Sequence, residues 1–158
     1  KEERFVDLHH GPIGDIYLIF SGTRLTAIQF EKPRDALPFR ATKQSALFRK
    51  ELTAYFEGRL REFAQETEFP GGTAFEKAVW LCLKAIPYGE SRTYRWVAEK
   101  VGRPKATRAV GQALAKNPLP IVFPCHRVVE SDGSLGGYSG GVGIKRRLLA
   151  LEYYSHRR

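Results

Sequence analysis

Residues 117–129 read NPLPIVFPCHRVV. Three prolines frame an apolar run here and predict a stiff, extended path into Cys125, because proline fixes its own backbone and disfavours helix before it. We expect the chain to continue as a strand over residues 126–130. The stretch therefore places a cysteine and a histidine side by side where a rigid segment meets a strand.

The residues after this stretch predict a hairpin turn, a loop and a last helix. The turn signal Ser-Asp-Gly-Ser begins at Ser131, and residues 136–141 are rich in glycine. This loop lacks the preceding strand and the Lys-Ser/Thr ending of a phosphate-binding loop. A helix is expected at residues 143–154, and Glu152 lies beside its apolar stripe. A carboxylate in that position should be part-buried and should need a partner.

Before the stretch, a helix begins at a capping-box pattern formed by Thr73 and Glu76. Apolar residues at helical spacing carry this helix up to Pro87. Cys82 lies on the apolar stripe, and free cysteine packs as a small hydrophobe. We therefore expect Cys82 to be a buried structural thiol.

Two short helices joined by a tight turn follow. Thr93 caps a helix over residues 94–101, Gly-Arg-Pro breaks it at residues 102–104, and a second helix covers residues 105–116. This is the length pattern of a helix-turn-helix. One face of the second helix carries small residues, which allow close approach to another surface. Helix packing explains that face as well as DNA binding does. The small residues are Ala106, Ala109, Gly111 and Ala113.

The first part of the chain predicts a separate α/β unit. Alternating apolar residues indicate an antiparallel meander with strands at residues 4–9, 15–20 and 25–30. A helix is expected at residues 44–57, and a short strand at residues 60–64. We assign no catalytic residue to this part.

Charge divides the chain in two. Residues 1–72 carry 11 basic and 11 acidic side chains, whereas residues 73–158 carry 15 and 6, so the net charge of +9 lies in the second part. Residues 65–72 are polar and end in Pro-Gly-Gly, which is typical of a linker. We expect an N-terminal domain at residues 1–64 and a C-terminal domain at residues 73–158. The basic excess favours a polyanion partner, most often nucleic acid, over a merely solvated face.

Composition excludes several classes of protein. With 42% hydrophobic and 12% aromatic residues, the chain can bury a core and is not intrinsically disordered. No apolar run approaches the roughly 18 residues of a membrane-spanning helix. The N-terminus lacks a signal-peptide stretch, so we expect an intracellular protein. Two cysteines are too few for a disulfide framework, and no Cys/His cluster has zinc spacing, so no metal site is expected.

The adjacency of Cys125 and His126 suggests an activated thiol, because a nearby imidazole lowers the cost of forming the nucleophilic thiolate. Neighbours on a strand point to opposite faces, so contact between the two would need a turn or a water. Adjacency alone is therefore a weak signal.

The pair lies in Pro-Cys-His-Arg-Val, which resembles the active-site motif of the O6-alkylguanine-DNA alkyltransferases, the methylated-DNA–protein-cysteine methyltransferases. Further motifs of that family occur in the family's order and cover essentially all of residues 73–156. They are IPYGE at residues 86–90, TY at 93–94, RAVG at 108–111, NP at 117–118, GYSGG at 137–141 and LLALE at 148–152.

This resemblance implies an α+β fold, in which a small N-terminal α/β unit is joined to a mostly helical C-terminal domain with a winged helix-turn-helix. It implies DNA repair by single-turnover transfer of an alkyl group from O6-alkylguanine, and from O4-alkylthymine, to Cys125. The product is an irreversible S-alkylcysteine, and no cofactor is required. The expected partner is double-stranded DNA containing O6-alkylguanine, bound by a chain that is monomeric in solution and cooperative on DNA. No membrane partner is expected. The expected location is the cytoplasm, at the nucleoid in a prokaryote, or the nucleus in a eukaryote.

The resemblance also implies catalytic roles. His126 would deprotonate Cys125 through a water, and Glu152 would orient His126 and stabilise its charge. Asn117 would brace the backbone turn that carries the thiol.

Roles in DNA recognition follow from the same resemblance. Tyr138 and Ser139 would border the guanine pocket. Arg108 would fill the gap left by a flipped nucleotide, and Tyr94 would push on the phosphate beside the target base. The other positions that match DNA-contacting residues are Arg95, Arg103, Ala106, Ala109, Gly111 and Ser131.

Three alternatives remain. A non-catalytic relative that marks alkylguanine for another pathway would lack the cysteine. A sequence-specific winged-helix regulator would need neither Cys125 nor Glu152, and its recognition helix would carry base-reading polar residues. A cysteine hydrolase would require an oxyanion hole, for which the sequence shows no separate signature.

Overall fold

A computed structural model describes residues 2–157. The described residues fall into two compact units, and the chain passes from the first to the second between Pro70 and Gly71. Residues 65–70, which the sequence predicts to be part of a linker, belong to the first unit. No helix of residues 2–157 is long and apolar enough to cross a membrane.

The sheet of the first unit is the predicted antiparallel meander. It consists of β1 (Arg4–Gly11), β2 (Gly14–Ser21) and β3 (Arg24–Gln29), in that order. Main-chain hydrogen bonds cover both outer edges. Val6 of β1 pairs with residues 38–40, and Leu25 of β3 pairs with residues 66–68. The strand predicted at residues 60–64 is absent, because it is the following segment that pairs with β3.

One helix, α1 (Lys43–Phe56), covers this sheet. Thr42 caps it through a capping box with Ser45. Its side chains Phe48, Leu52 and Tyr55 are fully buried, whereas Leu47 is 46% exposed because it lies on the solvent side of the helix.

The second unit is mostly helical, so the α+β prediction is confirmed. Its helix-turn-helix is formed by α3 and α4, and two short parallel strands lie beside it. The elements are α2 (Ala74–Cys82), β4 (Arg92–Thr93), α3 (Tyr94–Lys100), α4 (Thr107–Ala115), β5 (Val128–Val129) and α5 (Val142–His156).

Local capping signals begin two of these helices as predicted. The Thr73 hydroxyl accepts from the Glu76 amide at 3.1 Å and starts α2. The Thr93 hydroxyl accepts from the Trp96 amide at 3.0 Å and starts α3. Cys82, expected to be buried, is partly exposed, because α2 ends there and a 3₁₀ turn, Leu83–Ala85, redirects the chain.

The stretch before Cys125 differs from its prediction. It is a compact turn rather than an extended path, since the Phe123 amide donates to the Leu119 carbonyl at 2.9 Å. Ile121 lies within this turn at φ 76°, in the left-handed region that β-branched residues rarely adopt. The fold thus turns the chain sharply just before the cysteine.

The segment after Cys125 is also different. The strand expected at residues 126–130 is a 3₁₀ turn, Cys125–Arg127, followed by the two-residue strand β5. The turn signal at Ser131 is used, and the Glu130 amide donates to the Ser134 carbonyl at 2.9 Å. Within residues 2–157 no strand follows that turn, so the predicted hairpin has no second arm.

Candidate active site

Cys125 begins the 3₁₀ turn and is 5% exposed. Burial raises the pKa of its thiol to about 11, although a hydrogen bond from Asn117 and the charge of Lys145 oppose that rise. Burial has this effect because a thiolate loses hydration in an apolar interior. The thiol is therefore protonated at neutral pH, and its use as a nucleophile requires a base.

Asn117 holds the turn that leads to this thiol. Its Nδ2 donates to the Phe123 carbonyl at 2.9 Å, and its Oδ1 accepts from the Leu119 amide at 3.0 Å. The two bonds join the ends of the segment that contains Ile121. A strained backbone persists where surrounding structure over-determines it, and Asn117 supplies that constraint here.

His126 points into the protein and meets Glu152 of α5. Its Nε2 lies 2.6 Å from Oε2 of Glu152, and the two side chains are 0% and 1% exposed. Nδ1 of His126 is also buried and has no hydrogen-bond partner among residues 2–157. Glu152 is buried and paired, as the sequence predicts for a carboxylate beside an apolar stripe.

Arg127 completes this cluster, although no role for it was predicted from the sequence. Its Nε donates to Oε1 of Glu152 at 2.7 Å, and its Nη2 donates to Oε2 at 3.0 Å. Burial alone would raise the pKa of Glu152. The charges and hydrogen bonds of His126 and Arg127 outweigh burial and hold that pKa well below its usual range. A buried carboxylate needs such partners. The sequence signal for this partner was the arginine in the cysteine motif.

The glycine-rich loop places Tyr138 near the cluster. The Tyr138 hydroxyl is buried, and burial together with the charges of Cys125 and Glu152 raises its pKa well above the usual value. It is therefore a neutral phenol. Ser139, its predicted companion, is exposed.

Lys145 is a second residue that the sequence analysis missed. It is 1% exposed, and its Nζ donates to the Gly137 carbonyl at 3.1 Å. It also lies 6.0 Å from the centre of the Tyr94 ring. A lysine inside the apolar face of α5 was the signal, because lysine is almost never fully buried without a partner.

Tyr94 connects the helix-turn-helix to the glycine-rich loop. Its hydroxyl has a hydrogen bond with the backbone of Gly137. Gly136 has φ 73°, and a Cβ there would collide with the Tyr94 hydroxyl. The Tyr94 ring also lies against Gly111 of α4, where a Cβ would be 3.6 Å from Cε2. Gly136 thus makes room for this aromatic side chain, whereas a Cβ at Gly111 would only touch it.

The predicted DNA-contacting arginines lie on the surface of the helix-turn-helix. Arg108 is exposed in the first turn of α4. Arg95 of α3 is exposed, and its Nε lies 3.5 Å from Oε2 of Glu99. Arg103 is exposed in the turn between the helices, 5.8 Å from the Phe75 ring centre.

Ala106, predicted on the second helix, is the N-cap residue just before α4; it and Ala109 of α4 are partly exposed, whereas Ala113 is buried. The Ala113 carbonyl accepts from Nε1 of Trp80 at 2.8 Å, so that end of the face packs against α2. Ser131 is exposed at the turn after β5. The structure therefore brings His126 and Glu152 together and leaves the predicted DNA-contacting arginines and Ser131 exposed, whereas Tyr94 packs between α4 and the glycine-rich loop.

Comparison with known proteins gives two family matches. Residues 7–69 match the ribonuclease-like domain, and residues 74–154 the DNA binding domain, of 6-O-methylguanine DNA methyltransferase. A methylated-DNA–protein-cysteine methyltransferase of Methanosarcina barkeri is 43% identical over 94% of this chain and 96% of its own. One from Mycobacterium leprae is 45% identical over 89% of this chain and 87% of its own.

Solved structures agree with these matches. Mycobacterium tuberculosis OGT in complex with DNA superposes with a TM-score of 0.88 and 39% identity, covering 96% of this chain and 94% of that one. The O6-methylguanine-DNA methyltransferase of Pyrococcus kodakaraensis superposes with a TM-score of 0.74 and 28% identity, covering 94% and 99%. This chain therefore belongs to the 6-O-methylguanine DNA methyltransferase family.

Proposed function

We propose that this chain repairs DNA by moving the alkyl group of O6-alkylguanine onto the sulfur of Cys125. The activity is that of a methylated-DNA–protein-cysteine methyltransferase. The observation that carries the assignment to Cys125 is its burial directly before His126, which pairs with Glu152. Cys82 lies instead at the partly exposed end of α2.

The reaction is a substitution at a saturated carbon. The sulfur of Cys125 forms a bond to the alkyl carbon, and the bond from that carbon to O6 breaks. O6 keeps the electron pair, and the leaving base is restored to guanine by taking up a proton. The thiol proton passes through a bridging water to His126. Because a thioether is chemically stable, each molecule acts once.

The base in this reaction is Nδ1 of His126, acting through a bridging water. It is the nitrogen that Glu152 does not engage, so its lone pair can accept a proton. Glu152 stabilises the charge that His126 gains. A raised thiol pKa makes this assistance necessary, since uncatalysed ionisation of Cys125 is unfavourable at neutral pH.

DNA binds to the helix-turn-helix, and the target nucleotide leaves the base stack to reach the buried thiol. Arg108 enters the vacated space, and Tyr94 acts on the adjacent phosphate. Tyr138 and Ser139 border the pocket for the base. We extend the substrates to O4-alkylthymine, which also carries its alkyl group on an exocyclic oxygen. We further propose that the chain is monomeric in solution and is located with the chromosomal DNA.

The test is intact mass before and after exposure to duplex DNA containing O6-methylguanine. One added methyl per protein, mapped to the Cys125 peptide, is expected. Cys82→Ser, the matched control, should gain the same methyl, whereas Cys125→Ser should gain none. No mass gain, a methyl on Cys82, or more than one methyl per protein contradicts the proposal. The same measurement separates it from a hydrolase or a regulator, which would gain no mass.

The non-catalytic lesion-binding alternative is not favoured. Such a protein would need no nucleophile in the pocket, whereas this chain keeps Cys125 together with a candidate base and its carboxylate partner.

A further inference from the structure

We propose that Arg127 is a positioning residue that sets the tautomer of His126, by holding Glu152 as a carboxylate that can only accept hydrogen bonds. The inference rests on the proposed role of His126 as the base for Cys125. It assigns a role to a residue outside the helix-turn-helix and outside the predicted catalytic set.

The geometry around Glu152 is a two-sided clamp. Oε1 accepts from Nε of Arg127 at 2.7 Å, and Oε2 accepts from Nη2 at 3.0 Å. Oε2 also lies 2.6 Å from Nε2 of His126. A guanidinium fork that bonds both oxygens fixes the plane of the carboxylate as well as its distance. Glu152 therefore cannot rotate away from His126 without breaking both bonds to Arg127.

Arg127 is itself held from the opposite side. Its Nη1 donates to the Ile86 carbonyl at 2.8 Å, and its guanidinium lies 5.6 Å from the centre of the Tyr88 ring. The side chain is 6% exposed. The position of the fork is thus set by the segment before β4 and not by Glu152 alone.

The protonation state of Glu152 decides which nitrogen of His126 is basic. Neutral imidazole carries one N–H, and its other nitrogen is the acceptor. Facing a carboxylate, Nε2 must be the donor, which leaves the lone pair on Nδ1. Facing a protonated carboxyl, Nε2 can be the acceptor, and the proton then sits on Nδ1. In that second arrangement His126 could not accept a proton on the side away from Glu152.

Burial disfavours the ionised form of Glu152, which the active tautomer of His126 requires, because a carboxylate at 1% exposure loses its hydration. His126 and Arg127 face Glu152 from the 3₁₀ turn, and Tyr138 faces it from the glycine-rich loop. Lys145, on the same helix as Glu152, is directed to the Gly137 carbonyl. Arg127 brings a permanent charge to this site, whereas the charge of His126 changes during the proposed reaction.

The first test observes the tautomer without any substrate. Nitrogen-15 NMR of histidine-labelled protein identifies the ring nitrogen that carries the proton, and the His126 signals are those lost in His126→Gln. In the unaltered protein at neutral pH we expect the proton on Nε2. In Arg127→Met we expect it on Nδ1, or exchanging between the two nitrogens. Arg146→Met, which removes an exposed arginine from α5, should leave the signals unchanged.

The second test is the pH profile of transfer from free O6-benzylguanine, which needs no DNA. We expect the acid limb of Arg127→Met to move to higher pH by about one unit or more, a tenfold loss on that limb. Arg127→Lys keeps the charge but lacks the guanidinium fork. Its acid limb should lie between those of the unaltered protein and Arg127→Met. If Arg127→Met does not fold, Arg127→Lys and Arg127→Gln are measured in the same way.

Two outcomes overturn the inference. One is a folded charge-removing variant that keeps the proton on Nε2. The other is a rate lowered equally at every pH, which is the result of a purely structural role. A protein that shows the expected tautomers but takes up no methyl would contradict the proposed function and leave the positioning role intact.

Discussion

Oε2 of Glu152 lies 2.6 Å from Nε2 of His126, and both side chains are inaccessible to solvent. Their hydrogen bond is therefore made in a medium of low polarity, where attraction between charges is stronger than in water and an unpaired charge is costly. His126 also directly follows Cys125, whose thiol burial keeps protonated, and it is the base that we propose for that thiol. A change in either side chain should consequently alter the chemistry at the sulfur.

Glu152→Gln should slow alkyl transfer from duplex DNA and from the free base by about 10–100-fold, the loss seen when a carboxylate that supports a metal-bound histidine is removed. The substitution nearly keeps the shape but removes the charge that stabilises protonated His126. The curve of Cys125 reactivity against pH should move to higher pH. Glu99→Gln, which removes an exposed carboxylate, should leave free-base transfer unchanged. Coincident curves for Glu152→Gln and the unaltered protein would make Glu152 a structural residue.

Glu152 should also stabilise the fold in a pH-dependent way. Its pKa is lowered in the folded state, so its contribution is present above the ordinary carboxyl value of 4.5 and is lost as pH falls below it. Glu152→Gln should cost about 3–5 kcal/mol of unfolding free energy at neutral pH, because Arg127 keeps a buried charge. Denaturant unfolding should show that difference shrinking between about pH 5 and pH 3. A difference that stays constant over this range would show that the charge of Glu152 is not responsible.

Arg108→Ala should slow repair of duplex DNA at saturating protein by tenfold or more and leave free-base transfer unchanged. Extruding a base costs a few kcal/mol, and a residue that fills the gap lowers that cost. Arg103→Ala is the matched control, because it removes the same charge from the same motif. It should weaken binding without changing the rate of the bound complex. Equal effects of the two variants on that rate would contradict a special role for Arg108.

DNA affinity should fall as salt rises, since the net charge of +9 is concentrated after Gly72. Each phosphate neutralised adds about −0.9 to the slope of log K against log salt. Arg103→Ala should therefore make the slope shallower by about 0.9 if its guanidinium contacts a phosphate. Fluorescence anisotropy with a labelled duplex measures both slopes. An affinity that does not change with salt would exclude phosphate contacts as the source of binding.

Asn117→Ala should destabilise the second unit by about 1–3 kcal/mol, the usual cost of leaving a buried polar group without its partner. The Phe123 carbonyl and the Leu119 amide both lose a bond. Asn117→Asp keeps an acceptor for the Leu119 amide but buries a carboxylate against the Phe123 carbonyl, so it should not restore the stability that Asn117→Ala loses. Denaturant unfolding compares the variants. A fully stable Asn117→Ala would show that the turn around Ile121 holds without its brace.

The features that could be predicted from the sequence are those set by neighbours along the chain. Thr73 and Thr93 cap their helices through residues three positions away, and the meander follows from alternation within short segments. The family motifs located the cysteine, the histidine and the carboxylate together. The first two signals depend on residues close together in the chain. The third depends on a family whose motifs are known as a set.

Other features depend on contacts between distant residues. Val128 and Val129 favour a strand, but pairing with β4 extends over these two residues alone, and the cysteine turns away before them. Arginine and lysine are mostly exposed, so neither Arg127 nor Lys145 could be placed in the interior from its own type. Their partners, the Glu152 carboxylate and the Gly137 carbonyl, are brought to them by the fold.

The cluster around Arg127 joins segments that are far apart along the chain: the Ile86 carbonyl, the turn at Cys125 and the last helix. None of these segments can assemble it alone, so the arrangement that we propose to activate the thiol exists in this chain only after the second unit has folded. A nascent or partly unfolded molecule carries an ordinary cysteine, without an oriented imidazole beside it. Because burial raises the pKa of the Cys125 thiol, folding makes this cysteine less reactive toward stray electrophiles than it is in an unfolded chain, and ties its use to the proposed proton transfer through His126.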